Sequence, residues 1–429
     1  SGRVTLVPGF MAGMEALHRR FGRLVFADLF GTAIWYADEG VIVNPRLAAY
    51  FKMRQASFSR TESGRRFLAG AGGELPLRGQ HFRQPELSAL LRTIARDGSG
   101  VMYNGHWGRQ FVEAVRAQGG KVVQSDLDAY APRWSEPFKT DFHGATVYGP
   151  DGVGGCAVLT ALNMLDAGYA GGLGQSWRDP AAFRAYDLAA RFATFASYLP
   201  RVRAFEQAHG LTSACDSRLD PAYARVVAPY LATLMADGVP PEPGHHSAAV
   251  VVVDRWGNVA ALVHSSNSVI WGDTGLVVGG VPIPSPAGIY QQRLAGVMPG
   301  AAIPGDMAPV IALRGGHPVA AVASVGSSMT PETLRVMAGL LGGADIAQLA
   351  AAPPMLLEFD KSFGQTTAVP AGAYPSVFLE SLRTMGTNVS ETPKERVGSL
   401  RGTSALVRFQ SGVPVTVETP NVMTYGAAY

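Results

Sequence analysis

The sequence predicts a layered α+β protein in which helices pack on antiparallel sheet, and three observations predict it. Up to about residue 235, apolar residues recur mostly at helical spacing. From residue 247 onward, short β-branched runs come in pairs separated by turn residues. Hydrophobic residues make up 47% of 429 and charged residues 16%, enough to build a large core and too few charges for a disordered chain.

The helical half begins with Gly13–Phe21, which places Met14, Leu17 and Phe21 on one face, and continues with Phe26–Gly40 around Leu29, Ile34 and Trp35. Pro85–Arg96 is amphipathic through Leu87, Leu90, Leu91 and Ile94, and Phe111–Gln118 follows, stopped by Gly119-Gly120. Residues 134–148 read as one extended segment, and Gly154-Gly155 opens a helix to Leu165. Helices are expected at Pro180–Tyr198 and Ala222–Met235. The run Pro240-Pro241-Glu242-Pro243-Gly244 is a linker, because consecutive prolines break any helix. Immediately after it, Ser247–Asp254 and Val259–Ser265 flank Arg255-Trp256-Gly257-Asn258, a hairpin expected to consist of two buried strands. A second hairpin is expected at Val310–Leu313 and Pro318–Ser324, a helix at Pro331–Leu341, and a last hairpin at Ser404–Phe409 with Val413–Val417. No repeat at solenoid period is present.

Composition excludes several function classes. A net charge of +3 over this length, with no basic stripe interleaved with aromatics, gives no basis for nucleic-acid binding. No apolar run reaches the roughly 18 residues that span a bilayer, so no membrane partner is expected. The compartment stays open, with the cytoplasm ahead of export or the periplasm. Cys156 and Cys215 are too few for a disulfide framework and are expected to be small buried hydrophobes. His245, His246 and His264 lack ligand spacing, and Gly152–Gly155 lacks the lysine of a phosphate loop, so neither a metal nor a cofactor is expected.

The linker-to-strand junction carries the chemistry. In N-terminal-nucleophile hydrolases the chain is cut just before a Ser, Thr or Cys, whose freed α-amine then acts as base for its own side chain. Ser247 at the mouth of a strand fits that role, with His246 on the leaving side, but the local pattern alone better fits a plain strand-leading serine after a loop.

A wider pattern bears on the choice. Val7-Pro8-Gly9-Phe10-Met11-Ala12-Gly13, then Phe82-Arg83-Gln84-Pro85, Phe111–Gly120, Asp126–Tyr130 and Ser247–Asn267 follow one another in the order found in the γ-glutamyltransferase family, which the chain resembles over most of its length. The resemblance implies the four-layer αββα sandwich of the N-terminal-nucleophile hydrolases, with residues 1–246 as large subunit and 247–429 as small subunit. It implies a nucleophile at Ser247 in place of the usual Thr, a supporting hydroxyl at Ser265, an Asn267 that holds the amine or substrate, and backbone N–H donors at Gly326 and Ser327 for the oxyanion. Before the VPG stretch the family also carries a segment with a core strand and a carboxylate-binding Arg, either missing from this chain or leaving the fold incomplete; Arg3 is not assumed to replace it.

The substrate side departs from the family. Residues 279–284, with Val281 in the substrate-binding stretch, supply neither the Gln nor the Asp that hold a glutamyl amine. Gly305-Asp306-Met307 stands where paired serines grip the α-carboxylate, and Asp306 would repel one. Ala248 and Ala249 replace the Thr and His of many members. The expectation is a self-processing hydrolase acting through Ser247 on a non-glutamyl small molecule, by amide or carbon–carbon bond hydrolysis of a side chain in antibiotic biosynthesis. The alternatives are an unprocessed, non-catalytic binding homologue and a true γ-glutamyl enzyme.

Overall fold

The computed structural model describes residues 2–69, 74–236, 247–266, 271–286, 297–298, 300–303, 305–356 and 367–418. The linker at 240–244 and positions His246 and Asn267 lie outside them. The chain divides into two compact units, one of residues 1–134 with 266–303, the other of 135–265 with 304–429.

In the first unit the periodic segments form helices Phe10–Phe21, Gly31–Glu39, Pro85–Asp97 and His106–Ala117. The expected helix from Phe26 begins instead as a 3-10 turn, Phe26–Phe30. Ile94, Trp107 and Phe111 pack with Leu276, Val278 and Ile283, and the Trp107 indole N–H donates to the Val278 carbonyl at 2.9 Å.

The second unit is built on a six-stranded antiparallel sheet. Its strands are β1 (Phe138–Phe142), β2 (Ala145–Gly149), β5 (Val310–Arg314), β6 (His317–Gly326), β7 (Gly402–Gln410) and β8 (Val413–Val415), in the order β8-β7-β6-β5-β2-β1. Strands β3 (Ser247–Val253) and β4 (Val259–Ser265) form a separate hairpin, with Ser247 opposite Ser265 and Val253 opposite Val259. Helices α1 (Val153–Gly168), α2 (Pro180–Phe195), α3 (Cys215–Leu219) and α4 (Met329–Leu341) complete the parts needed here.

Strand β6 explains the layering. Ala320 and Val322 belong to the core shared with α1, α2 and α4. Side chains alternate across a strand, so Ala321 and Ala323 point to the opposite face. Both are fully buried there, and the β3–β4 hairpin packs on β6 to cover that face. The β6 run is therefore apolar on both sides, whereas the hairpin is covered, and only partly, on one side.

Further expectations change. The hairpin is half-exposed rather than doubly buried: Val250 and Val252 on its outer face are 49% and 53% exposed. The stretch 134–148 contains a hairpin, because His143 takes a positive φ of 49° and turns β1 into β2. Residues 222–235 break into Pro221–Val227, a 3-10 turn at Ala228–Tyr230 and Leu231–Leu234, since Pro229 cannot continue a helix.

Cys156 and Cys215 are joined in a disulfide, with Cα atoms 5.8 Å apart. Neither is the buried free thiol expected from composition. Closing a loop across 59 positions removes about 4 kcal/mol of unfolded-chain entropy on the chain-entropy account.

Candidate active site

Ser247 is the first residue of β3 and is half-buried, on the hairpin face turned toward the large sheet. Its hydroxyl lies 3.9 Å from the Met307 sulfur, a weak acceptor. Ser265 sits directly across the hairpin, so the two hydroxyl-bearing residues share one pair position on the inner face. His264 pairs with Ala248 and belongs to the outer face. The ring of β4 therefore does not share the face of Ser247.

Strand β6, which carries the hairpin, ends in Gly326 and leads through Ser327 and Ser328 into α4. Backbone N–H groups at a helix start are natural oxyanion donors, being without partners inside the helix. Gly326 adopts φ +99°, and a Cβ built there would stand 2.5 Å from the Arg401 carbonyl oxygen. Conformation and close approach both require glycine. Gly326→Ala is expected to lower stability by about 2–3 kcal/mol and to reduce turnover as well, read from thermal unfolding and initial rates. Ser327 occupies the second position, and the next residue, Ser328, donates its hydroxyl to the Leu400 carbonyl at 2.5 Å, tying the turn to the entry of β7.

The segment 305–307 is held against the start of α1. The Gly154 N–H donates to the Gly305 carbonyl at 3.3 Å, and a Cβ at Gly154 would lie 2.1 Å from the Asp306 carbonyl oxygen. The run around Gly154 is thus a close-packing surface for the chain beside Ser247, as well as the tight turn before a helix that its sequence suggests. Asp306 itself is partly exposed. Val281 lies in the first unit, paired with Val278. Ser247, Ser265, Asp306, Met307, Gly326 and Ser327 thus all fall in the second unit. Among the described residues no group of three His, Cys, Asp or Glu side chains is placed to hold a metal ion.

Beneath the Gly326–Ser328 turn lies a polar cluster the sequence did not suggest. Glu332, 1% exposed, accepts from the Arg335 guanidinium at 2.8 and 3.0 Å, and Arg335 also donates to the Leu349 carbonyl at 2.9 Å. The Ser404 hydroxyl is 3.5 Å from the same carboxylate and 2.8 Å from the Ser324 hydroxyl. In sequence Glu332 and Arg335 are an ordinary helical i,i+3 pair, which usually faces water.

The second unit thus carries a serine at the head of an inner strand and a glycine turn at the end of the strand packed against it. The chain belongs to the gamma-glutamyltranspeptidase family, whose sequence model matches residues 1–414. It is 24% identical over 372 residues to a glutathione hydrolase proenzyme of Pseudomonas sp. (strain A14), covering 81% of this chain and 64% of that one. It is 25% identical over 354 residues to the acylase ACY 1 proenzyme of Pseudomonas sp. (strain V22), covering 79% and 61% respectively. The chain thus spans less than two thirds of the length of these curated relatives. Its fold matches that of cephalosporin acylase from Bacillus halodurans with a TM-score of 0.79, at 21% identity over 97% of this chain and 77% of that one.

Proposed function

We propose that the protein is a self-processing hydrolase that attacks an acyl group of a non-glutamyl small molecule through Ser247. The observation that carries this reading is the position of Ser247: first in an inner strand, after a proline-rich linker, with its hydroxyl beside Met307 and opposite Ser265. Cleavage between His246 and Ser247 frees an α-amine of ordinary pKa near 8. The neutral amine takes the Ser247 hydroxyl proton as the oxygen attacks the substrate carbonyl, and the Gly326–Ser327 amides stabilise the oxyanion. The intermediate collapses, the substrate's C–N bond breaks and its amine leaves with the proton from the α-ammonium. Water, deprotonated by the same α-amine, then attacks the acyl-enzyme, releasing the carboxylic acid and restoring the Ser247 hydroxyl. Because the amine works unprotonated, kcat/KM rises with pH through the amine's titration. The two products of processing, residues 1–246 and 247–429, stay together as large and small fragments of the αββα sandwich, whose fourth layer belongs to this proposal.

An amide is favoured over a carbon–carbon bond as the target. Two of the proteins it is similar to carry acylase names, one of them a cephalosporin acylase. The glutamyl group is disfavoured because Asp306 replaces a hydroxyl where an α-carboxylate would sit. A site that loses such hydrogen bonds and gains a like charge discriminates strongly. A γ-glutamyl anilide is expected to show kcat/KM at least about 10³-fold below that of an acyl anilide without the α-carboxylate. Comparable turnover of the two anilides would establish a true γ-glutamyl enzyme instead. Mass spectrometry tests processing directly: two fragments with a new N-terminus at Ser247 are expected. A single intact chain after long incubation would leave the non-catalytic binding homologue as the reading.

A further inference from the structure

The site rests on a helix end that its own sequence holds poorly. Helix α1 starts as Gly152-Val153-Gly154-Gly155-Cys156, with three glycines in five positions and no side-chain cap on Gly152. Such a turn has little intrinsic tendency to stay helical. Yet this is the turn that receives the Gly305 carbonyl on the Gly154 N–H and lies against the carbonyls of Asp306 and Met307. Met307 in turn is the described neighbour of the Ser247 hydroxyl.

The turn is held by packing of buried Gly154 and Gly155 and by the Cys156 N–H donating to the Gly152 carbonyl at 3.0 Å, and it carries one covalent tie besides. Cys156 is bonded to Cys215, the first residue of α3. Helix α3 is itself anchored. Arg218 pairs with buried Glu206 at 2.9 Å, Tyr223 donates to the same carboxylate at 2.6 Å, and Asn163 in the middle of α1 donates to the Leu219 carbonyl at 3.0 Å. The disulfide therefore ties the weak end of α1 to a rigid point, while Asn163 holds the rest of the helix independently of it. Both cysteines are partly exposed, within reach of a soluble thiol.

We propose that the Cys156–Cys215 disulfide is a positioning clamp for the segment 305–307, and that its redox state sets the activity of the Ser247 site; this rests on the reading of Ser247 as nucleophile. A dithiol passes two electrons and two protons to the two sulfurs, leaving two thiols and the oxidised dithiol. The first turn of α1 then frays, Gly305–Met307 loses its backing, and the wall beside Ser247 loosens while the core stays folded. An oxidising compartment keeps the clamp closed and a reducing one opens it.

The test uses the full chain with and without dithiothreitol, at a temperature where circular dichroism shows it folded. Protein denatured without reductant should titrate no free thiol, and two after reduction. Hydrogen exchange at 153–156 and 305–308 should speed up about tenfold on reduction, with 180–195 unchanged. Ser247-dependent hydrolysis of p-nitrophenyl acetate should fall severalfold in kcat and return on reoxidation. Cys215→Ser should match the reduced protein whatever the dithiothreitol concentration. Two free thiols in the unreduced denatured protein would overturn the proposal, and so would unchanged exchange at 305–308. If no ester hydrolysis depends on Ser247, the nucleophile reading fails, while thiol titration and exchange still decide whether the clamp exists.

Discussion

Replacing Ser247 by alanine is expected to leave a folded, single-chain protein with no Ser247-dependent acyl-enzyme and turnover at the uncatalysed background. In the proposed mechanism the hydroxyl attacks the preceding peptide bond and later attacks substrate, so one atom's loss removes both steps. The fold should survive. Ser247 is half-buried, its one described polar contact is a long one to sulfur, and the strand is held by backbone pairing with β4 rather than by the hydroxyl. Thermal unfolding is thus expected to move by no more than the effect of a small surface change, under about 1 kcal/mol, while activity disappears. Ser247→Thr separates the roles further. It restores the hydroxyl with an added methyl and should process and turn over at a reduced rate. An alanine variant that still yields two fragments would remove Ser247 from the mechanism.

The hairpin that presents this residue was legible because two signals coincide there. A β-branched run is bounded by Asp254 and Asn258, and in the structure the Asp254 carboxylate accepts from the Trp256 and Asn258 backbone N–H groups and the Asn258 amide. The turn between β1 and β2 was not legible, because His143-Gly144 lacks the Asn-Gly or Asp-Gly chemistry that marks a two-residue hairpin. The exposure of the outer β3–β4 face was hidden too. Valine at every position from 250 to 253 looks alike whether one face or both are covered, and only the partner of each face decides. The disulfide was beyond reach for another reason. Cys156 and Cys215 are 59 positions apart, and their proximity follows from how α1 and α3 pack, which no spacing rule encodes. Ser265 illustrates another case: the family resemblance marked it, and the hairpin register sets it across from Ser247.

The largest stability effect is expected at Arg335, a position that no sequence signal marked. Replacing it with methionine keeps the side chain's bulk but leaves the Glu332 carboxylate in the core without its guanidinium partner, and removes one of the two donors to the Leu349 carbonyl, which keeps the Ala352 N–H. Breaking a buried pair from one side costs about 3–5 kcal/mol, because the abandoned charge keeps its full desolvation penalty. That is a large part of the stability of an ordinary domain. Glu332→Leu alone should cost a similar amount by stranding the guanidinium. The double variant, Glu332→Leu with Arg335→Met, should recover most of the loss, since two apolar side chains need no compensation in that position. A double-mutant cycle by urea denaturation is thus expected to give a coupling of at least about 2 kcal/mol, and additive losses would refute the buried-pair account. The activity of the double variant then says what the pair is for. Glu332 donates its backbone N–H to the Ser328 carbonyl one turn back, in the first turn of α4 that leads from Gly326 and Ser327. If the ion pair also orients those amides, the refolded double variant will be stable yet slow, with kcat reduced and KM unchanged. If it regains full kcat, the pair serves the fold alone, and the Gly326–Ser328 turn is set by Gly326, the Ser328–Leu400 hydrogen bond and the pairing of β6 with β7.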